Sequence, residues 1–126
     1  MNKIVFIIGL GGFIGTIARY LSHQFVHRYY PLTFPYGTLA VNLLGCFLIG
    51  IFYGLSVKGN LLSPEWRMFL TTGFCGGFTT FSAFTLESVN LMYDRQYLYV
   101  GIYAAVSVVV GIAATYSGIW LTKYIV

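Results

Sequence analysis

The sequence predicts an all-α integral membrane protein in which a single domain, residues 1–126, contains four transmembrane helices. The chain is 58% hydrophobic and only 8% charged, with a mean hydropathy of +0.79, a composition typical of membrane proteins. Four stretches approach the length of about 20 apolar residues that a bilayer core requires. The connections between them are short, and the N-terminus lacks the pattern of a cleaved signal peptide, so we expect a mature multi-pass protein from Met1 onward.

The first two spans are predicted at about Ile4 to Tyr20 and at about Gly37 to Val57. Pro31 and Pro35 separate them, since proline interrupts a helix. Both spans contain glycines four residues apart, which let neighbouring helices approach closely. These pairs are Gly11 with Gly15 and Gly50 with Gly54.

The third span, from about Trp66 to Met92, begins after Ser63 and Pro64, which fit an N-cap and the first helical position. Its middle is unusual for a lipid-facing helix, because residues 73–87 are rich in glycines, hydroxyls and phenylalanines. We predict that the helix is broken at its midpoint, where Gly76 and Gly77 precede two threonines. The freed carbonyls would then need a partner such as Na⁺. The alternative is an unbroken helix that packs tightly at Gly77.

The fourth span runs from about Tyr97 to Tyr124. With four spans, the basic residues divide four against three across the membrane: Lys3, Lys58, Arg67 and Lys123 on one side, Arg19, Arg28 and Arg95 on the other. An excess of basic residues on one side normally fixes the orientation of a membrane protein, and here that excess is a single residue. One interpretation is that the chain inserts in both orientations, which would allow an antiparallel homodimer. The alternative is that a small membrane protein simply carries few charges.

Uncharged polar side chains cluster in the sequence where a pathway through the membrane would need them. Phe81 and Phe84 lie three residues apart on one helix face, and an aromatic ring attracts anions at its edge and cations at its face. The candidate hydrogen-bond donors are Asn42, Thr79, Thr80, Ser82, Tyr103 and Ser107. Because no lysine lies among them, such a pathway could pass a small anion through weak serial sites. Taken singly, each residue is also explained by helix packing.

The remaining polar residues and the two cysteines do not predict a functional site. Arg19 and Glu87 lie near span ends, where they can pair or reach the interface, and are interpreted as structural. His23 and His27 are four apart but lack a third ligand, so they are interpreted as interfacial rather than metal-binding. The two cysteines, within the predicted spans, are expected to behave as small apolar residues.

Three motifs together resemble the Fluc (CrcB) family of fluoride ion channels over nearly the whole chain. They lie at residues 11–20, 37–45 and 73–87, in the sequences GGFIGTIARY, GTLAVNLLG and GFCGGFTTFSAFTLE. The resemblance implies a dual-topology antiparallel homodimer in a bacterial plasma or inner membrane. It would have two pores and export fluoride passively from the cytoplasm, limiting fluoride toxicity.

The resemblance also implies roles for individual residues. Asn42, Phe81 and Phe84 would line the fluoride path, and Tyr103 would be similar to a polar-track residue. The carbonyls of Gly76 and Thr79 would hold a structural, non-transported Na⁺ at the dimer centre.

Two other functional classes compete with a channel. A small multidrug-type dual-topology transporter would need a membrane-embedded acidic residue, but the first two spans contain none and Glu87 lies far along the third. A structural assembly subunit would explain the glycine pairs and leave residues 73–87 unexplained. An enzyme is not expected, because the sequence shows no nucleophile–base pair, metal cluster or phosphate loop.

Overall fold

The computed structural model describes residues 2–31, 33–58 and 61–125, and every regular element within them is a helix. The elements in chain order are α1 (Asn2–Tyr29), α2 (Tyr36–Val57), α3 (Pro64–Met68), a π-helix (Phe69–Cys75), α4 (Gly76–Phe78), α5 (Phe81–Tyr93) and α6 (Tyr97–Ile125). In the described part of the chain, α1, α2 and α6 are the helices long and apolar enough to cross a membrane. The prediction of an all-α integral membrane protein agrees with this architecture.

The first helix is longer than its sequence pattern predicted. It continues past Tyr20 to Tyr29, because residues 21–29 contain neither glycine nor proline to end it. His23 and His27, predicted to be interfacial, therefore lie on the last turns of α1.

The third predicted span is a series of helical segments rather than one helix. As predicted, Ser63 caps its start: the side chain of Ser63 accepts a hydrogen bond of 3.2 Å from the backbone N–H of Trp66. Helical structure then continues to Phe78 and resumes at Phe81. Between them Thr79 and Thr80 are extended, with ψ angles of 156° and 118°.

The sequence predicted a break within the stretch from Gly76 to Thr80. The helix does break in this stretch, but at the two threonines and not at the glycines. Gly76 has helical angles of φ −62° and ψ −39°, and Gly77 lies within α4. A Cβ atom on Gly77 would lie 2.6 Å from the carbonyl oxygen of Gly12, so this glycine serves close packing against α1. The interruption falls at the two threonines instead, because the backbone N–H and carbonyl of Thr80 both bond to a side chain, described below.

Glycines set the distances between the packed helices. The most extensive contact joins α2 to α6, and the next joins α1 to the π-helix and α4. At the first, Gly50 lies directly against the backbone carbonyl of Thr115. At the second, Gly15 lies directly against the carbonyl of Phe74. A side chain at either position would collide with backbone, so these helices approach too closely to accommodate one there.

The interior of the single chain is small, and its exterior is apolar. The buried hydrophobic side chains are Val41, Cys75, Phe78, Leu91 and Tyr103. Many large apolar side chains, including Phe6, Phe13 and Ile112, are instead exposed. Such a surface suits lipid or another protein chain, since water would disfavour it.

Candidate functional site

Asn42 on α2 holds the break between α4 and α5 through two hydrogen bonds. Its Oδ1 atom accepts from the backbone N–H of Thr80 at 2.9 Å, and its Nδ2 atom donates to the carbonyl of Thr80 at 3.1 Å. The hydroxyl of Thr80 then accepts from the N–H of Ala83 at 3.2 Å, which caps α5. The side chains of Asn42 and Thr80 thus replace hydrogen bonds that a continuous helix would supply.

This exchange of partners frees two backbone carbonyls. In a continuous helix the carbonyl of Gly76 would accept from Thr80 N–H, and that of Thr79 from Ala83 N–H. Those two N–H groups donate instead to Asn42 and to the Thr80 hydroxyl. By contrast, the Gly77 carbonyl accepts a hydrogen bond of 3.1 Å from Arg19 Nε. The carbonyls of Gly76 and Thr79 are thus two of the four, those of residues 76–79, that lose their helical donors at the break.

Phe81 and Phe84 line a groove that begins at the break. Their ring centroids lie 5.7 Å apart, and the Phe81 side chain is 77% exposed. Phe84 packs against Tyr103, with a centroid distance of 4.8 Å. One ring is thus held against α6, while the other projects from the surface of the chain.

The groove has a volume of about 350 Å³ and lies between α2, α5 and α6. Its lining includes Asn42, Thr80, Phe81, Phe84 and Ser107, together with apolar side chains and the two cysteines, and no charged residue among those described. The Ser107 hydroxyl is buried without a hydrogen-bond partner in the described structure. A second groove, along α2 and α6, shares Ser107 and Cys46 with the first.

Glu87, further along α5, belongs to a hydrogen-bonded cluster. Its Oε2 atom accepts from the Thr38 hydroxyl at 2.8 Å, and its Oε1 atom accepts from the Tyr103 hydroxyl at 3.0 Å. His23 Nε2 lies 4.0 Å from Oε2. These partners come from α1, α2 and α6, so the carboxylate joins four helices.

The structure brings most of the predicted pathway residues together in the groove, but two lie elsewhere. Tyr103 is fully buried beside Phe84, and its hydroxyl points to Glu87. Ser82 is exposed at the break, with its hydroxyl 3.3 Å from that of Thr80. The roles of these residues in ion conduction stay predictions.

Sequence reasoning missed Thr38 and the proximity of His23 to Glu87. Thr38 could have been found, because it lies four residues before Asn42 and so shares its helix face. The approach of His23 to Glu87 depends on the way α1 and α5 are each placed beside α2, which no local pattern reveals.

Comparisons with known proteins identify the family. The family described as "CrcB-like protein, Camphor Resistance (CrcB)" matches residues 6–119. A relative from Flavobacterium psychrophilum, named fluoride-specific ion channel FluC, is 44% identical over 121 residues, covering 96% of this chain and 98% of its own. A FluC from Chlorobaculum tepidum is 50% identical over 121 residues, covering 96% and 95%, respectively.

A further relative of the same name, from Chlorobium phaeobacteroides, is 49% identical over 117 residues and covers 93% of this chain. These proteins are named as channels rather than enzymes. Together with three helices able to span a membrane, the matches show a multi-pass bacterial membrane protein. The chain belongs to the CrcB (Fluc) family.

Proposed function

We propose that this chain forms a passive, fluoride-selective ion channel. The observation that carries the proposal is the groove beside the helix break, which combines phenylalanine rings and uncharged hydrogen-bond donors. The relatives named fluoride-specific ion channels, at 41–50% identity, support the same ion.

The groove chemistry suits a small, strongly hydrated anion. An asparagine amide has two N–H donors, and Asn42 uses one on the Thr80 carbonyl, which leaves the other for an ion. The partner-free Ser107 hydroxyl offers a second donor, and the phenylalanine rings carry positive edges. Without a lysine or arginine to hold the ion tightly, each site stays weak enough for conduction.

Efflux from liposomes tests this function. Vesicles that contain the pure protein and fluoride should empty rapidly once a potassium ionophore removes the charge imbalance, while chloride should be retained. A small multidrug-type transporter predicts instead that efflux requires a proton gradient or carries a cationic drug. Either of those outcomes, or equal efflux of chloride, would contradict a fluoride channel.

The direction of transport follows from passive conduction. A cell interior that is electrically negative drives an anion outward, by about 2.3 kcal/mol per charge for 100 mV. The channel would therefore export fluoride from the cytoplasm and limit its toxicity. Cells lacking the gene should accumulate more fluoride than cells carrying it, and equal accumulation would contradict an export role.

The proposed channel is an antiparallel homodimer in which both subunits complete each pore. The nearly balanced basic residues support dual insertion. The exposed Phe81 ring, and exposed Val108, Ile112 and Tyr116 along α6, supply an apolar surface for a partner beside the groove. Together with α1, α2 and α6, the broken segment Pro64–Tyr93 would bring the number of membrane spans to four.

Thiol labelling tests the antiparallel arrangement. Single cysteines in the loops, on a background without Cys46 and Cys75, should react with an impermeant reagent from both sides of the membrane. Labelling from one side only would rule out dual insertion.

A structural sodium ion is proposed at the break. The freed carbonyls of Gly76 and Thr79 supply two neutral oxygen ligands per chain, and an antiparallel pair would supply four. Neutral oxygens without a carboxylate suit a monovalent cation better than Ca²⁺, which usually recruits anionic ligands. Dimers assembled in a large organic cation should lose fluoride flux, and equal flux with and without sodium at every preparative stage would disprove the site.

A further inference from the structure

His23 and Glu87 separate two cavities at one end of the molecule. The outer cavity, of about 230 Å³, lies where α1 and α5 end and α2 begins, and Asp94 and His27 contribute to its lining. The inner cavity, of about 350 Å³, is lined by Arg19 and Thr80. Both His23 and Glu87 contribute to the walls of both cavities.

The inner cavity adjoins the groove that contains the phenylalanines, and the two spaces meet at Thr80, which lines both. If fluoride reached Phe81 and Phe84 by way of these two cavities, it would pass His23 and Glu87 first. The inference below rests on the proposed fluoride conduction through this groove.

The His23 ring is positioned by packing. A Cβ atom on Gly37 would lie 2.8 Å from His23 Cδ2, so the absence of a side chain at Gly37 makes room for the ring. On the other side His27 stacks with it, at a centroid distance of 6.3 Å and an interplanar angle of 15°. The side chain remains 38% exposed, which gives protons access to it.

The charged groups around His23 leave the entrance unfavourable to an anion when the ring is neutral. Glu87 on α5 lies 4.0 Å away, and Asp94 after α5 adds a second carboxylate to the outer cavity. Arg19, four residues earlier on α1, lines the inner cavity and donates to the Gly77 carbonyl. The other titratable groups lining these cavities or bonded to Glu87 are Tyr20 and His27 of α1, Tyr30 just after α1, Tyr36 of α2 and Tyr103 of α6.

We propose that His23 is a proton-controlled residue of the channel entrance, whose protonation raises the rate of fluoride conduction. Histidine is the side chain that ordinarily changes charge between about pH 5 and 8. A positive ring beside Glu87 offsets the carboxylate charge, so an approaching fluoride ion meets less repulsion. A unit charge about 5 Å from an ion in water changes its local concentration about threefold to fivefold, which sets the expected size of the effect.

The experiment compares fluoride currents through the full-length protein in planar bilayers at about pH 6 and about pH 8. Current is recorded rather than efflux, because undissociated hydrogen fluoride crosses bilayers without carrying charge. The wild-type current should be about threefold to fivefold larger at the lower pH. The ratio should fall to about one in both His23→Gln, which stays neutral, and His23→Arg, which stays charged.

His27→Gln is the matched control, since His27 stacks on the same ring but faces the outer cavity alone. This variant should keep most of the wild-type ratio. A wild-type ratio of one, or a ratio that persists in His23→Gln or disappears in His27→Gln, would overturn the role of His23 while leaving fluoride conduction intact. A wild-type protein that carries no fluoride current at either pH would overturn the proposed function, and the inference with it.

Discussion

Two neighbouring regions of the third predicted span differ in how closely they pack against the rest of the chain. Before the break, the π-helix and α4 meet α1 with backbone against backbone: a Cβ on Gly73 would lie 2.8 Å from the carbonyl of Ile8. After the break, Phe81 is exposed and the facing Ser107 hydroxyl has no partner in the described structure. The first region is complete within one chain, and the second is left open.

The difference teaches where to look for function in a chain of this composition. Glycines and hydroxyls are abundant on both sides of the break, so residue type alone does not separate packing from conduction. What separates them is whether each group finds a partner. The predictions below test this contrast, beginning with the packed region, where the expected effect is largest.

Gly15→Ala should strongly lower the stability of the fold. The new Cβ would collide with the backbone carbonyl of Phe74, and backbone cannot swing aside as a side chain can. Overpacking of this kind costs about 1–3 kcal/mol or more. Thermal unfolding in detergent measures the effect, with Gly9→Ala as the control, because a Cβ at Gly9 meets nothing within 4 Å. Equal stability of the two variants would contradict the close approach.

Asn42→Leu should reduce fluoride flux by about tenfold or more, because it removes both hydrogen bonds that fix Thr80. Each backbone group left unsatisfied costs about 1–3 kcal/mol, so the unfolding temperature should fall as well. Liposome efflux and thermal unfolding are measured on the same preparation. Wild-type flux in this variant would show that the break does not depend on Asn42.

Phe81→Ile and Phe84→Ile should each lower fluoride flux severalfold while the protein stays folded, because isoleucine retains apolar bulk and lacks a ring edge. Phe13→Ile provides a control, since Phe13 is exposed on α1 outside the grooves. If both groove variants conducted like the wild type, plain packing would explain the phenylalanines.

Ser107→Ala should have the smallest effect on fluoride flux. It should lower the flux without lowering the stability of the protein. A buried hydroxyl without a partner is costly, so its removal should leave stability unchanged or slightly higher, while flux falls because a donor to the ion is lost. Ser117→Ala on the same helix is the control, because its hydroxyl donates to the Ala113 carbonyl. If Ser107→Ala lost stability and kept normal flux, Ser107 would be a structural residue and not a donor to the ion.

The sequence predicted those features that depend on local chemistry. The positions of α1, α2 and α6 follow hydropathy, and the Ser63 cap follows from the Ser63–Pro64 pair at the start of α3. The groove residues were found because polar groups are rare in a bilayer and therefore conspicuous. The exact place of the break was missed because it depends on other helices. Gly77 packs closely against Gly12 on α1, and the backbone of Thr80 is hydrogen-bonded by Asn42 on α2.

The π-helix and the Glu87 cluster were missed for the same reason. The π-helix, Phe69–Cys75, lies against α1, and its composition carries no local signal for that geometry. Glu87 gains Thr38, Tyr103 and His23 as neighbours only after four helices are assembled. Tertiary contacts decide such features, so a single sequence constrains them weakly.

The reversal potential of a single channel tests the central claim, that the open groove selects fluoride, most directly. Purified protein is placed in a planar bilayer with a fluoride salt on one side and the chloride salt of the same cation on the other. The account predicts a reversal potential set by the fluoride gradient. A reversal potential near zero would contradict it, because equal passage of the two anions, or a current carried by the shared cation, both give that value.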